Sequence, residues 1–297
     1  MGTSRIQHSK GIAFMTASGL TVAIMALVGQ FLTHDYGLCL AVLLRYAVPT
    51  IILAWLVLLT DKFHMPWRYF KQILIRALFM VACQLCFFYY LMHGSIVYAT
   101  LFFSTGPLFV PLIAWVAYKV KPANKIWLSL AISFVGVGIA MHPQHGPDYG
   151  LAFFGIAAGF FNACSQTVYH KVSHDTSATV TTFYAFVICS ILMLIISLFF
   201  VPATLWQHAY QHIQLPYQGL LVLAFAFAAI STQIFRGLAY QKVNKANSVA
   251  PFMYTSIIFA GLLAWLVYNS IPSIYTIIGT VIIIGGGFIV LHRAKAR

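Results

Sequence analysis

Acidic side chains are nearly missing from this chain: Asp35, Asp61, Asp148 and Asp175 are the four acids among 297 residues, and there is no glutamate. All four fall in polar breaks between long apolar runs, so the sequence places no carboxylate at membrane depth. That absence argues against proton coupling through buried acids, a common arrangement in pumps. It also argues against a solute anchored mainly by a positive charge, which needs a counter-charge or an aromatic face in a dry cavity. An intramembrane metal enzyme would lack its clustered acids. The chain has no Gly-x-Ser-x-Gly elbow and no phosphate-binding glycine loop for direct ATP drive. Charge of either sign is scarce, at 7% of residues, against roughly a quarter in a soluble domain.

What is abundant is apolar length. Hydrophobic residues make up 61% of the chain and the mean hydropathy is +0.89. A helix needs about 20 apolar residues to cross a hydrocarbon core about 30 Å thick, and the chain supplies that length repeatedly. We read ten spans, at 11–32, 38–60, 72–93, 97–118, 125–141, 150–170, 178–200, 217–239, 247–269 and 274–292. Runs such as "VTTFYAFVICSILMLIISLFF" are continuously apolar, unlike the alternating ten-residue strands of a membrane barrel. The first run is longer than a signal-peptide core and reads as a retained helix; no soluble domain is expected.

Cys39, Cys83, Cys86, Cys164 and Cys189 all fall inside spans, where thiols act as small apolar packing groups. "CQLC" at Cys83–Cys86 has no second pair, so neither a metal nor a cofactor is expected. The net charge of +13 is read through position rather than as a nucleic-acid signal. With a cytoplasmic N-terminus, 16 of the 17 Lys and Arg residues, Arg76 and Arg236 among them, fall on the inner side and Arg45 is left inside a span. An even span count with both ends in the cytoplasm satisfies the positive-inside rule.

Sliding the chain by 150 residues lays "FFSTGPLFVPLIAWVAYKVKP" (102–122) over "FMYTSIIFAGLLAWLVYNSIP" (252–272) without a gap. Thr105, Trp115, Tyr118 and Pro122 then meet Thr255, Trp265, Tyr268 and Pro272. The fold expected is therefore all-α and integral to the membrane, ten transmembrane helices as two inverted five-helix repeats at 1–144 and 145–297. An odd number of helices per repeat makes the second copy enter the bilayer from the opposite side, an arrangement that marks transporters.

"ALFMVACQLCFFYYLMHGSIVYATLFFSTGPLFVPLIAWV" resembles the third and fourth helices of the EamA family of the drug/metabolite transporter superfamily. "STQIFRGLAYQKVNKANSVAPFMYTSIIFAGLLAWLVYNSIPS" resembles its eighth and ninth, and "GTVIIIGGGFIVLHR" its tenth. The resemblance covers essentially the whole chain and implies an inverted five-plus-five arrangement that moves small metabolites or drugs. The chain departs from the family where Gly-Glu pairs often follow the fourth and ninth helices: it has "YKVKP" and "YNSIP".

The substrate-contacting candidates are polar residues inside spans. Gln84 and Gln233 are central in the third and eighth, one per half, and each amide offers two donors and two acceptor lone pairs. The rival reading is interhelical hydrogen bonding, worth about 0.6 kcal/mol on average. Thr105 and Thr255 are repeat mates, with Ser104 and Tyr254 beside them and Pro107 and Pro251 nearby; the alternative is that such hydroxyls bond back to their own helix. Asn162 reads as packing or cavity lining, and Tyr90 is one of several aromatics able to shape a pocket. Arg45 lies about 10 Å inside its span and either snorkels outward or faces the cavity and attracts a carboxylate or phosphate.

The expected function is bacterial inner-membrane transport of amino acids or related zwitterionic solutes by alternating access, through facilitated diffusion or exchange. A nucleotide-like or vitamin-like aromatic metabolite is the runner-up solute, and a lipid flippase or an intramembrane enzyme the non-transporter alternative. The partners expected are a small molecule and the lipid bilayer, without nucleic acid, for a monomer or homodimer.

Overall fold

The structure is a computed structural model that describes residues 2–59, 67–119, 149–213, 216–243, 249–269 and 273–292, with isolated positions between 128 and 139. Every regular element among the described residues is helical. The predicted fifth span, 125–141, lies largely outside them, as do Asp61 and Asp148. Six described helices are long and apolar enough to cross a membrane.

The first helix, α1 (Gly2–Leu59), is long enough to cross twice and turns at Gly37, whose φ of 73° and ψ of 169° break the helical geometry. That backbone region is essentially restricted to glycine, and it reverses the chain directly after the polar residues Thr33, His34, Asp35 and Tyr36 that separate the first two predicted spans. A short 3-10 turn, Trp67–Tyr69, leads into α2 (Phe70–His93). The predicted fourth span is two helices, α3 (Ile96–Phe103) and α4 (Gly106–Tyr118), separated at Ser104 and Thr105. The Ser95 hydroxyl caps α3 by accepting from the Tyr98 N–H at 3.3 Å, which satisfies one of the orphan donors of a helix start.

The second half comprises α5 (Tyr149–Ser173), α6 (Ala178–Phe200), α7 (Ala203–Ile213), α8 (Pro216–Gln241), α9 (Thr255–Tyr268) and α10 (Ile274–His292). The short helix α7 was not anticipated: "ATLWQHAYQHI" mixes apolar and polar residues too evenly to read as a span, yet Leu205 and Trp206 pack onto the core. A 3-10 segment, Ala250–Tyr254, precedes α9 just as α3 precedes α4.

Packing follows a paired pattern. Helix α1 packs most extensively on α8, and α2 on α5. Exchanging the halves turns one of these pairings into the other. The same exchange relates two close approaches. A Cβ at Gly159 on α5 would lie 2.4 Å from Thr105 Oγ1, and one at Gly19 on α1 would lie 2.3 Å from Thr255 Oγ1. Small residues let helix backbones approach where lipid supplies no hydrophobic drive for association. Large apolar side chains such as Trp55, Phe199 and Phe200 stay exposed on the outside of the bundle, as a lipid-facing surface requires.

Candidate functional site

A narrow cavity lies at the centre, lined from both halves. Helix α1 brings Val22, Met25 and Arg45, α2 brings Met80, Cys83 and Gln84, and α3 brings Phe103. Opposite them, α5 brings Asn162, Ser165 and Gln166, and α8 brings Thr232, Gln233 and Arg236. The free space is about 10 Å³, room for about one water molecule, so a solute enters only if the helices separate.

The chemistry of this centre is set by arginine. Arg45 is 1% exposed, Arg76 1% and Arg236 3%. Arg45 turns into the bundle rather than toward the bilayer surface: its guanidinium sits 4.8 Å from the Tyr46 ring centre, and its Nε lies 3.3 Å from Met25 Sδ. Arg236 Nη1 donates to Asn162 Oδ1 at 3.4 Å. Arg76 stands behind the lining, 3.5 Å over the Tyr169 ring, and its Nη2 donates to Gln233 Oε1 at 2.9 Å. With that oxygen engaged, Gln233 keeps its N–H₂ donors for other partners.

Five buried nitrogen donors on these arginines and Asn162 nevertheless lack an acceptor: Arg45 Nη1, Arg76 Nε and Nη1, Arg236 Nε, and Asn162 Nδ2. An arginine at mid-membrane costs about 2.5–3.5 kcal/mol on insertion scales. Arg45, Arg76 and Arg236 lie nearer the span ends, where insertion costs less, but each holds its guanidinium out of water inside the bundle. Cation–π contacts of Arg45 with Tyr46, Arg76 with Tyr169 and Arg236 with Phe103 offset part of that cost. The described carboxylates, Asp35 and Asp175, sit at helix ends and neutralise none of them.

The structure thus brings Arg45, Gln84, Asn162 and Gln233 together at one cavity. It places the other candidates outside the lining. The Thr105 and Thr255 hydroxyls each donate back to a carbonyl three residues earlier, Phe102 O and Phe252 O, both at 2.6 Å. Ser104 Oγ and Ser256 Oγ share a hydrogen bond of 3.0 Å across the α3–α9 contact. Tyr254 is buried with its hydroxyl unpartnered, and the buried Tyr90 ring packs 5.5 Å from Phe102.

One sequence expectation is corrected. Arg76 and Arg236, assigned to the inner side with the other basic residues, lie within the bundle. Each is five or six residues inside its helix end, about 8–9 Å along the axis. Counting charge by side of the membrane concealed them; counting residues from the span ends would have flagged both. Ser165, Gln166 and Thr232 were also missed, since a lone polar residue in a helix carries no signal of the face it occupies.

Each end of the bundle is tied by an acid at a helix corner. At one end Gln218 Nε2 donates to Asp35 Oδ2 at 2.8 Å, and the Tyr36 hydroxyl reaches Gln218 Oε1 at 3.5 Å. At the other end the Tyr69 hydroxyl donates to Asp175 Oδ2, and Gln241 Nε2 donates to Thr176 O at 3.2 Å. Gln218 and Gln241 are on the same helix, α8, about 35 Å apart by helical rise, so the two ties close opposite ends. They are also exchanged by swapping the halves: each joins a first-to-second or sixth-to-seventh span corner to the start of a helix in the other half.

A crystal structure of a protein aligns over 100% of this chain and 99% of its own, with a TM-score of 0.65 at 13% identity; at that identity the likeness establishes the fold alone. The pseudopaline exporter CntI of Pseudomonas aeruginosa, from two strains, is 25% identical over 227 residues, covering 75% of this chain and 75% of the exporter. The EamA-like transporter family matches twice, at residues 9–141 and 150–292. The two matches cover nearly all of the sequence, and the chain belongs to the EamA-like transporter family.

Proposed function

We propose that this protein carries small metabolites with at least one carboxylate across the bacterial inner membrane by alternating access, through exchange or facilitated diffusion. In this reading ten spans form two inverted halves, 1–144 and 145–297, with both termini in the cytoplasm. The halves rock about the central cavity, opening one end tie while the other holds. The observation that carries the reading is a donor-rich cavity between the halves, closed at both ends by interchangeable ties. Twofold packing of α1 on α8 and of α2 on α5 supports the inverted arrangement.

Likeness to a protein named as an exporter supports outward movement. An amino-acid-like zwitterion fits the carboxylate requirement, and unpartnered arginine donors favour such a solute over the aromatic metabolite or a flipped lipid. Counterflow in proteoliposomes tests the proposal. Vesicles loaded with amino acids or small carboxylates are expected to accumulate the labelled form of at least one of them above protein-free vesicles. Absence of trans-stimulated uptake across both solute groups would overturn the reading.

A further inference from the structure

We propose that the central cavity is built for an amino- or hydroxy-polycarboxylate: a solute with two or more carboxylates and at least one N–H or O–H donor. This rests on the transporter reading above and names its substrate class. A zwitterion brings no net charge, whereas the cavity presents Arg45 and Arg236 at its lining and Arg76 behind Gln233. The described carboxylates lie at the ends of the bundle, so a net-neutral solute would leave this positive charge uncompensated.

The unmet donors come from three different helices, an arrangement that suits more than one carboxylate. Arg45 belongs to α1 and Arg236 to α8, each with a buried nitrogen lacking an acceptor, and Asn162 Nδ2 on α5 is a third such donor. Guanidinium presents a planar fork that matches a carboxylate edge. Acceptors are unmet as well: Gln84 Oε1 and Gln166 Oε1 are buried without a donor, which is the requirement an amine or hydroxyl on the solute satisfies. Val22, Met25, Met80 and Phe103 give the carbon skeleton an apolar wall.

Calorimetric titration of the full-length protein in lipid nanodiscs tests this with defined probes: iminodiacetate and citrate against glycine, acetate and inorganic phosphate. Iminodiacetate or citrate is expected to bind saturably, roughly 10-fold or more tighter than glycine and acetate. Arg45→Gln and Arg236→Gln should each weaken that binding roughly 10- to 100-fold, with Arg45→Lys and Arg236→Lys retaining part of it. Glycine binding as tightly as the polycarboxylates, phosphate binding as tightly as citrate, or no polycarboxylate binding at all would each overturn the inference. The probe ranking on the unaltered protein decides this even if an arginine variant fails to fold. Counterflow of a zwitterion without polycarboxylate binding sinks this inference and leaves the transporter reading intact. Polycarboxylate binding without any counterflow sinks the transporter reading and leaves the site.

Discussion

The two halves are built on one plan, but they close the molecule with different chemistry. At the Asp35 end the tie is made by a buried amide, Gln218, whose two side-chain atoms engage both Asp35 and Tyr36. At the Asp175 end it is made by a phenol, Tyr69, in an exposed contact. A partly buried hydrogen bond to a charge, as at Asp35, keeps part of the about 1.5–3 kcal/mol such bonds contribute, whereas an exposed one competes directly with water. The comparison teaches that symmetry of path need not mean symmetry of energy: the Asp175 end should open more readily. The close helix approaches differ in the same way. The Gly159 site faces the Phe102 carbonyl oxygen, 2.7 Å from a would-be Cβ, while the nearest backbone atom at the Gly19 site is Ser256 N at 3.0 Å.

The largest expected effect tests that last contrast. Gly159→Ala forces a methyl against a backbone atom that cannot rotate away and should cost about 3 kcal/mol, against about 1 kcal/mol for Gly19→Ala. Thermal melting of the purified variants measures the difference. Equal losses would show that the Thr105 and Thr255 hydroxyls set both costs and that the backbone does not distinguish the halves.

Next come the end ties. Cys83 lines the cavity and is 2% exposed, so alkylation by a membrane-impermeant thiol reagent reports opening when Cys83 is the lone cysteine. Gln218→Ala should speed labelling roughly 3- to 10-fold from the Asp35 end only. Tyr69→Phe should speed it by a smaller factor, from the other face. Acceleration from both faces by either change would mean that the ties stabilise the bundle as a whole and do not act as separate closures.

The smallest effect is expected where the halves meet as equals. Ser104→Ala removes one partner of the Ser104–Ser256 hydrogen bond and should cost about 0.6 kcal/mol. Ser256→Ala should cost somewhat more, since the Ser256 hydroxyl also donates to Met253 O at 2.8 Å, and the double variant should add little to that. Chemical denaturation of the three variants checks this, and strong additivity would mean that the two hydroxyls work independently.

Much of this was legible before any coordinates. The ties at Asp35 and Asp175 stand at the corners where the sequence placed its loops, and the repeat alignment paired Thr105 with Thr255, which share one contact geometry, although the sequence offered both as substrate contacts. What could not be read was facing. Gln84 and Thr105 are both polar residues in apolar runs, yet one lines the cavity and the other bonds back to Phe102. Helical periodicity gives little guidance when nearly every face is apolar.

Composition and apolar run length determined the environment, the helical class and the internal repetition, because a bilayer admits few backbone solutions and each leaves a length signature. Tertiary packing alone decided that Arg45, Arg76 and Arg236, separated by up to 191 positions in the chain, are buried together with no described carboxylate among them. Charge in a sequence is a count along a line. Whether it is solvated at a surface or held in a dry centre depends on which helices meet there.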